Sequence, residues 1–282
     1  MVAVSVAERG STQPATSPRP VTFPADRIAA HRQMLEERVF QVESKWPQFR
    51  RLMDDMRTLA DETPAGATVV CLERTLLYGG FSLFAPLFSG RDFISVDCSP
   101  GSADTRGAYN AGMVDDARFV AVPTTRRAPP EATGLPSGSV DLVMVPNLVH
   151  HVRDQTGLFA EMARLLRPGG RGYIFEPLLR ELHQMPDDYV RYTPWGFQQQ
   201  IEAAGLVYDR FVPEGGPFTA IAYCWTQALE YFPAEKRAEM ERWFYDGHFK
   251  DLVAWDREDG SENRARKHTS FPTAFGIFFH KT

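Results

Sequence analysis

Between residues 67 and 212, short apolar runs alternate with helix-forming segments, and this alternation constrains the fold more than any other feature of the chain. "ATVVCLE" (67–73), "FISVD" (93–97), "RFVAV" (118–122), "VDLVMVPN" (140–147), "RGYIFEP" (171–177) and "LVYDRFV" (206–212) read as strands. "TAFGIFFHK" (273–281) reads as a last one. "LFAEMARLLRPGG" (158–170) is an amphipathic helix with Leu158, Met162, Leu165 and Leu166 on one side and a Pro-Gly-Gly stop. "TPWGFQQQIEAAGL" (193–206) opens with Thr193 as N-cap and Pro194 at the first helical position, and closes at Gly205. Alternating strand and helix predicts an α/β fold with a doubly wound, largely parallel sheet. Ligands of such sheets bind beyond the carboxyl ends of the strands, so Glu73, Asp97, Asn147 and Glu176 mark the candidate site.

The flanks divide the chain further. Residues 1–24 are rich in Ser, Thr and Pro and are expected to form a disordered tail. Residues 25–64 carry an apolar stripe of Leu35, Val39, Val42, Trp46, Phe49, Met53 and Met56, interrupted at Pro47. It predicts two helices or one kinked helix, packed on the domain behind them or serving as a lid or homodimer contact. Residues 65–216 with 270–282 form the α/β domain, and 217–269 form an insertion before the last strand. Ten aromatics fall in the 38 positions from Phe218 to Trp255, about twice the 12% of the whole chain. They form either a subdomain core or interface, or a cap that closes over an organic substrate.

A net charge of −5 argues against nucleic acid as the main partner, because phosphate binding wants a basic face. Cys71, Cys98 and Cys224 are odd in number and in no metal-ligand pattern, which fits a reducing compartment. No apolar run approaches a membrane span and "MVAVSVAERG" lacks signal-peptide character, so the expectation is a cytoplasmic protein with no membrane partner.

"LPSGSVDLVMVPNLVHHVRDQTGLFAEMARLLRPGGRGYIFEP" (135–177) resembles the class I S-adenosylmethionine-dependent methyltransferases. It has their order of a Leu-Pro turn, a strand, a His-His pair, an amphipathic helix, "RPGG" and another strand. "HQMPDDYVRYTPWGF" (183–197) is similar to a segment found in a subgroup of them. The resemblance covers roughly 65–212 plus the last strand. It implies a Rossmann-like sheet of seven strands, the last antiparallel, and S-adenosyl-L-methionine as cofactor. Glu73 matches the acid ending the first strand, and Gly79 the last glycine of the first motif. Asp97 matches the acid that grips the ribose hydroxyls, and Pro146, Asn147 and Leu148 the floor beside the methyl-donor sulfur.

Thr75 and Leu77 stand where the family has glycine, so this turn is either rebuilt, with Tyr78 and Gly79 shaping a modified pocket, or lost as a cofactor site. Asp97 and the well-kept second half favour rebuilding. "VPTTRRAPPEATG" (122–134) offers no clear Asp for the adenine amino group. Three functions follow from the resemblance. The first is methyl transfer to a small-molecule acceptor such as a secondary metabolite or sugar. The second is non-methylating use of the cofactor, by cyclisation or aminocarboxypropyl transfer. The third is a binding protein without catalysis. Where an acceptor needs a base, His183, His151 and Tyr189 are the candidates, with His150 beside them. His150, His151, Glu176 and His183 are the residues a metal would take, but adjacent histidines rarely aim at one ion and no His-x-x-x-His spacing is present, so no metal is expected.

Overall fold

A computed structural model describes residues 21–38, 49–99, 113–258 and 270–282. Seven strands form one sheet: β1 (Thr68–Glu73), β2 (Asp92–Asp97), β3 (Arg126–Arg127), β4 (Val140–Pro146), β5 (Leu166–Pro177), β6 (Val207–Glu214) and β7 (Ala274–His280). Their order is β3-β2-β1-β4-β5-β7-β6. β1 pairs in parallel with β2 and β4, β3 with β2, and β5 with β4, while β7 runs antiparallel between β5 and β6. The seven-stranded sheet with an antiparallel last strand is therefore present. The order reverses between β1 and β4, and at such a switch point an open α/β sheet binds its ligands.

Alternation along each strand divides the core into two layers. Val69 and Cys71 of β1, Leu142 and Met144 of β4, and Tyr173 and Phe175 of β5 pack on one side. They meet Leu52, Met53, Met56 and Leu59 of helix α2 (Phe49–Glu62). Val70, Leu72, Val143, Val145 and Ile174 pack on the other side. They meet Leu158, Met162 and Leu165 of α3 (Gln155–Leu165) and Phe197 and Ile201 of α4 (Pro194–Ala203). Burial on both faces explains why the central strands read as nearly continuous apolar runs.

The amino-terminal stripe begins in α1 (Ala25–Arg38) and continues in α2. Val39, Val42, Trp46 and Pro47 lie outside the described residues, as does most of the expected tail. α2 docks through a buried polar contact as well as its apolar face. The Tyr173 hydroxyl donates to Asp55 Oδ2 at 2.9 Å, and Arg51 pairs with Asp55 Oδ1 at 2.7 Å. Gly276 on β7 makes room for this, since a Cβ there would stand 2.2 Å from Asp55 Oδ2.

Two expectations need correction. "RFVAV" is not the third strand, which is instead the two residues Arg126–Arg127 facing Val96 and Asp97. Phe119 and Val120 are buried, but their backbone is engaged elsewhere. Val120 N–H donates to His31 Nδ1 at 3.1 Å, and His31 Nε2 donates to Leu83 O at 2.9 Å. That arrangement needs a neutral imidazole, and burial lowers the His31 pKa accordingly. The second correction concerns the helix placed at 158–170, which begins earlier and ends at Leu165. Pro168 pushes the residue before it toward extended backbone. The chain from Leu166 onward joins the sheet as β5, and Lys281 Nζ donates to the carbonyls of Ala163 and Leu166 at the helix end.

The segment between β6 and β7 forms helices α5 (Pro217–Ala228), α6 (Ala234–Gly247) and α7 (Phe249–Glu258). Ala222, Leu229, Phe244, Phe249 and Val253 give them a small core of their own. Among the described residues no helix is long and apolar enough to cross a membrane.

Candidate functional site

Asp97 ends β2 and turns into the site. Its Oδ1 accepts from the Ser99 N–H at 3.0 Å and the Ser99 hydroxyl at 2.5 Å, which fixes the carboxylate at the strand end. Beside it opens a cavity of about 510 Å³ lined by Asp97, Ser99, Arg127, Glu131, His151 and Tyr189, among others. These residues end or follow β2, β3, β4 and β5, so the cavity lies beyond the carboxyl ends of the strands. Its volume falls in the usual range of small-molecule sites, about 300–1,000 Å³. The stretch after β3, in which no Asp stands, contributes Glu131 to the wall.

Glu73 is placed differently. It is 2% exposed, and its Oε1 accepts from Ser82 Oγ at 2.5 Å and Ser95 Oγ at 2.9 Å. Burial raises its pKa to about 7 against these hydrogen bonds. It braces the turn from inside instead of facing the cavity. After it comes a single-turn 3-10 helix, Thr75–Tyr78, and then Gly79 and Gly80 at φ of 69° and 82°. Thr75 is fully buried, and burial pushes the Tyr78 phenol up to about 12. Side chains therefore fill this turn, where glycines would leave open space.

Arg74 is the residue here that sequence reasoning passed over. Its side chain is buried, with Nε and Nη2 lacking any hydrogen-bond partner among the described residues. Burial pulls its pKa down to about 10, which leaves it a cation at neutral pH. It lies close enough to His150 and His151 to depress both imidazoles. Since His151 lines the cavity, Arg74 stands behind the same wall. A charged residue directly after β1 was the available signal.

Pro146 ends β4, and Asn147 follows at φ 53°, a left-handed conformation that asparagine tolerates. Asn147 N–H donates to Phe175 O at 2.8 Å, while its side-chain Oδ1 is buried and without a partner among the described residues. Leu148 is fully buried under this floor. Tyr189 is 40% exposed at the cavity mouth and donates to Asp187 Oδ1 at 2.8 Å.

The structure brings together the three histidines whose spacing in the sequence argues against a metal site. The ring centroids of His150 and His151 are 3.9 Å apart, and His183 lies 5.2 Å and 4.8 Å from them. His150 Nδ1 meets Glu176 Oε2 at 2.5 Å, with Glu176 Oε1 accepting from Val149 N–H. Burial raises Glu176 to about 8 and lowers His150 well below its ordinary value, so the two form a neutral hydrogen-bonded pair. His151 Nδ1 bonds the Asp187 carbonyl, and burial holds its pKa far below normal. His183 is brought down to about 3, again chiefly by burial. The loop carrying it is pinned by Asp188, which accepts from His183 N–H at 3.0 Å and pairs with Arg191 at 2.5 Å. Burial works against the Asp188 carboxylate, but these hydrogen bonds win and hold its pKa below the ordinary range.

The strand order defines a Rossmann-like α/β domain, and the cavity lies at the sheet's switch point. Residues 79–174 match the protein family described as Methyltransferase domain. That match begins at Gly79, after the filled turn. The chain is 30% identical over 182 residues to a dimethylglycine N-methyltransferase of Parasynechococcus marenigrum (strain WH8102), covering 56% of this chain and 58% of that protein. It is 31% identical over 119 residues to an uncharacterized methyltransferase of Mycobacterium sp. (strain JLS), covering 42% and 41%. The chain thus spans about half the length of these curated relatives. A solved structure provisionally assigned as a sarcosine dimethylglycine methyltransferase from Galdieria sulphuraria is 15% identical, covering 91% of this chain and 98% of that one, with a TM-score of 0.49.

Proposed function

We propose that this protein transfers a methyl group from S-adenosylmethionine to a small-molecule acceptor, and that its cofactor site is rebuilt around Arg74. The observation that carries this reading is the cavity at the ends of β2, β3 and β4 with Asp97 fixed on its wall. The residues present suit the cofactor. With Oδ1 taken by Ser99, Asp97 has Oδ2 for ribose hydroxyls, and Glu131 supplies an acceptor for the adenine amino group. The desolvated Arg74 guanidinium has Nε and Nη2 without a hydrogen-bond partner among the described residues, and a methionine carboxylate suits them. Asn147 Oδ1 offers an acceptor to the amino group of the same moiety.

The cofactor supplies an activated sulfonium methyl, so the protein's task is to align the acceptor and exclude water. Tyr189 and Asp187 rim the mouth of the cavity, and the pinned 183–191 loop holds them there. His151 and His183 are neutral and weakly basic, which suits accepting a hydrogen bond better than removing a proton. The aromatic helices α5–α7 supply the acceptor's surroundings, and a metabolite or sugar-type hydroxyl or amine fits such a site. The filled turn supports a second reading, in which the altered cofactor pose exposes another carbon next to sulfur to attack.

Thermal unfolding with S-adenosylhomocysteine tests the cofactor half of this reading. Ligand at about 100 times its dissociation constant adds about 2.7 kcal/mol, a clear rise in midpoint, and Asp97→Ala should abolish it. No shift in the wild type at millimolar ligand contradicts the reading. Mass analysis of cofactor products then separates methyl transfer from the second reading: S-adenosylhomocysteine as the only cofactor product, formed only with an acceptor, excludes attack at another carbon.

A further inference from the structure

We propose that His150, His151 and His183 form a binding site for a divalent transition metal of the zinc type, with an open coordination position toward the cavity. The inference goes beyond methyl transfer and does not depend on it. One ring nitrogen from each histidine lies within 4.8 Å of one from each of the others. The Nδ1 atoms already face partners: the Glu176 carboxylate, the Asp187 carbonyl, and the Glu181 carbonyl with Asp188 Oδ2. All three Nε2 atoms are buried and have no hydrogen-bond partner among the described residues. Three orphaned imidazole nitrogens in one buried cluster need a common partner.

A metal ion meets that need. Metal binding releases the proton held in the His150–Glu176 pair, so that each Nδ1–H is donated to a carboxylate or carbonyl and the lone pair stands on Nε2; such outer partners fix the ring and raise its basicity as a ligand. Zinc takes nitrogen at about 2.0–2.1 Å, which places tetrahedral ligands about 3.4 Å apart, so binding draws the rings inward. Three protein ligands plus one open position is the arrangement of catalytic rather than structural zinc. His151 lines the cavity, so the open side faces the space where a small molecule binds. The surrounding charges set the affinity. Arg74, Arg180 and Arg191 are near enough to lower the imidazole pKa values, while Asp188 and Glu181 act in the opposite direction. Arg191 is paired with Asp188, and Arg180 lies 3.6 Å from Glu181. The positive charge of Arg74 then favours an anionic oxygen as the fourth ligand. Neighbouring histidines serve one ion here because the turn at Val149–His151 holds their rings together, 3.9 Å apart and tilted by 45°, instead of spreading them.

The test is titration of the full chain, first stripped by chelator, with Co(II) followed by visible absorption and with Zn(II) followed by calorimetry. The expected result is one equivalent bound, with the intense d–d bands of a tetrahedral or five-coordinate cobalt centre. His183→Ala should weaken binding by roughly tenfold or more. His183→Cys should keep binding and add a thiolate-to-cobalt band. His280→Ala, at the opposite end of the sheet, should change nothing. Absence of a stoichiometric site in the wild type overturns the proposal. So does binding unaltered by His183→Ala in a folded variant. If that variant does not fold, a His183→Cys protein without the new band is equally fatal.

Discussion

On the β4–β7 side of the sheet, strands of seven to twelve residues alternate with the regular helices α3 and α4. On the β1–β3 side, β1 reaches β2 through two single-turn 3-10 helices, Thr75–Tyr78 and Ala85–Phe88, and β3 has two residues. The first region is held by interdigitated apolar side chains. Phe197 packs edge-on against Tyr192 and Phe275 and tilted against Phe159. The second relies on buried polar residues that tie loops together: Glu73 to Ser82 and Ser95, and His31 to Leu83 and Val120. Half of the candidate site comes from each side. The difference teaches that apolar packing sets one side of the sheet, while buried side chains fill and brace the turn after β1 on the other.

The largest effect expected from breaking this contrast is in the apolar half. Phe197→Ala should cost about 3–5 kcal/mol in denaturant unfolding, because a fully buried ring is replaced by a cavity. A cost below about 1 kcal/mol would mean that this half is not the close-packed one.

In the polar half the leading effect is pH-dependent. The Glu73 carboxyl is raised from 4.5 to about 7 in the folded chain, chiefly by burial. The folded state therefore keeps a proton that the unfolded state releases. Its contribution to stability is complete below about pH 4.5 and is lost as pH rises through about 7. Between about pH 4.5 and pH 8 the wild type should lose about 3 kcal/mol relative to Glu73→Gln. Parallel stability–pH curves for the two proteins would contradict this.

A smaller loss should follow His31→Ala, about 2 kcal/mol, because Leu83 O and Val120 N–H are left unpaired in the interior. Amide exchange sharpens the comparison. The β1–β3 side should lose protection first in this variant, and uniform loss over both sides would show that the halves unfold together.

What the sequence disclosed follows the same division. The regular half is legible because its signals are local. Thr193 and Pro194 open α4 where expected, and the Thr193 hydroxyl accepts from Gly196 N–H at 3.2 Å. β7 fills its predicted span because apolar residues there are buried on both faces. The other half depends on long-range partners that no window of sequence contains. "RFVAV" has strand composition, yet His31, 89 residues away, takes the N–H of Val120. In the candidate site, Asp97 stood out because it ends a strand. The histidines stood out together but their spacing spoke against a metal, because the loop pinned by Asp188 and Arg191, which carries His183 to His150 and His151, is not visible in the sequence. Arg74 was hidden by the expectation of glycines around it. Its importance comes from burial without a partner, which is a property of the folded chain.

The central claim is the proposal that Arg74 anchors the methionine end of the cofactor. The most direct measurement is calorimetric binding of S-adenosylhomocysteine and of adenosine to wild type and to Arg74→Ala. The account predicts that the variant binds S-adenosylhomocysteine roughly 30-fold more weakly, the loss of one charge-assisted contact of about 2 kcal/mol, and binds adenosine as the wild type does. Unchanged S-adenosylhomocysteine affinity in the variant, or equal weakening of both ligands, would contradict it.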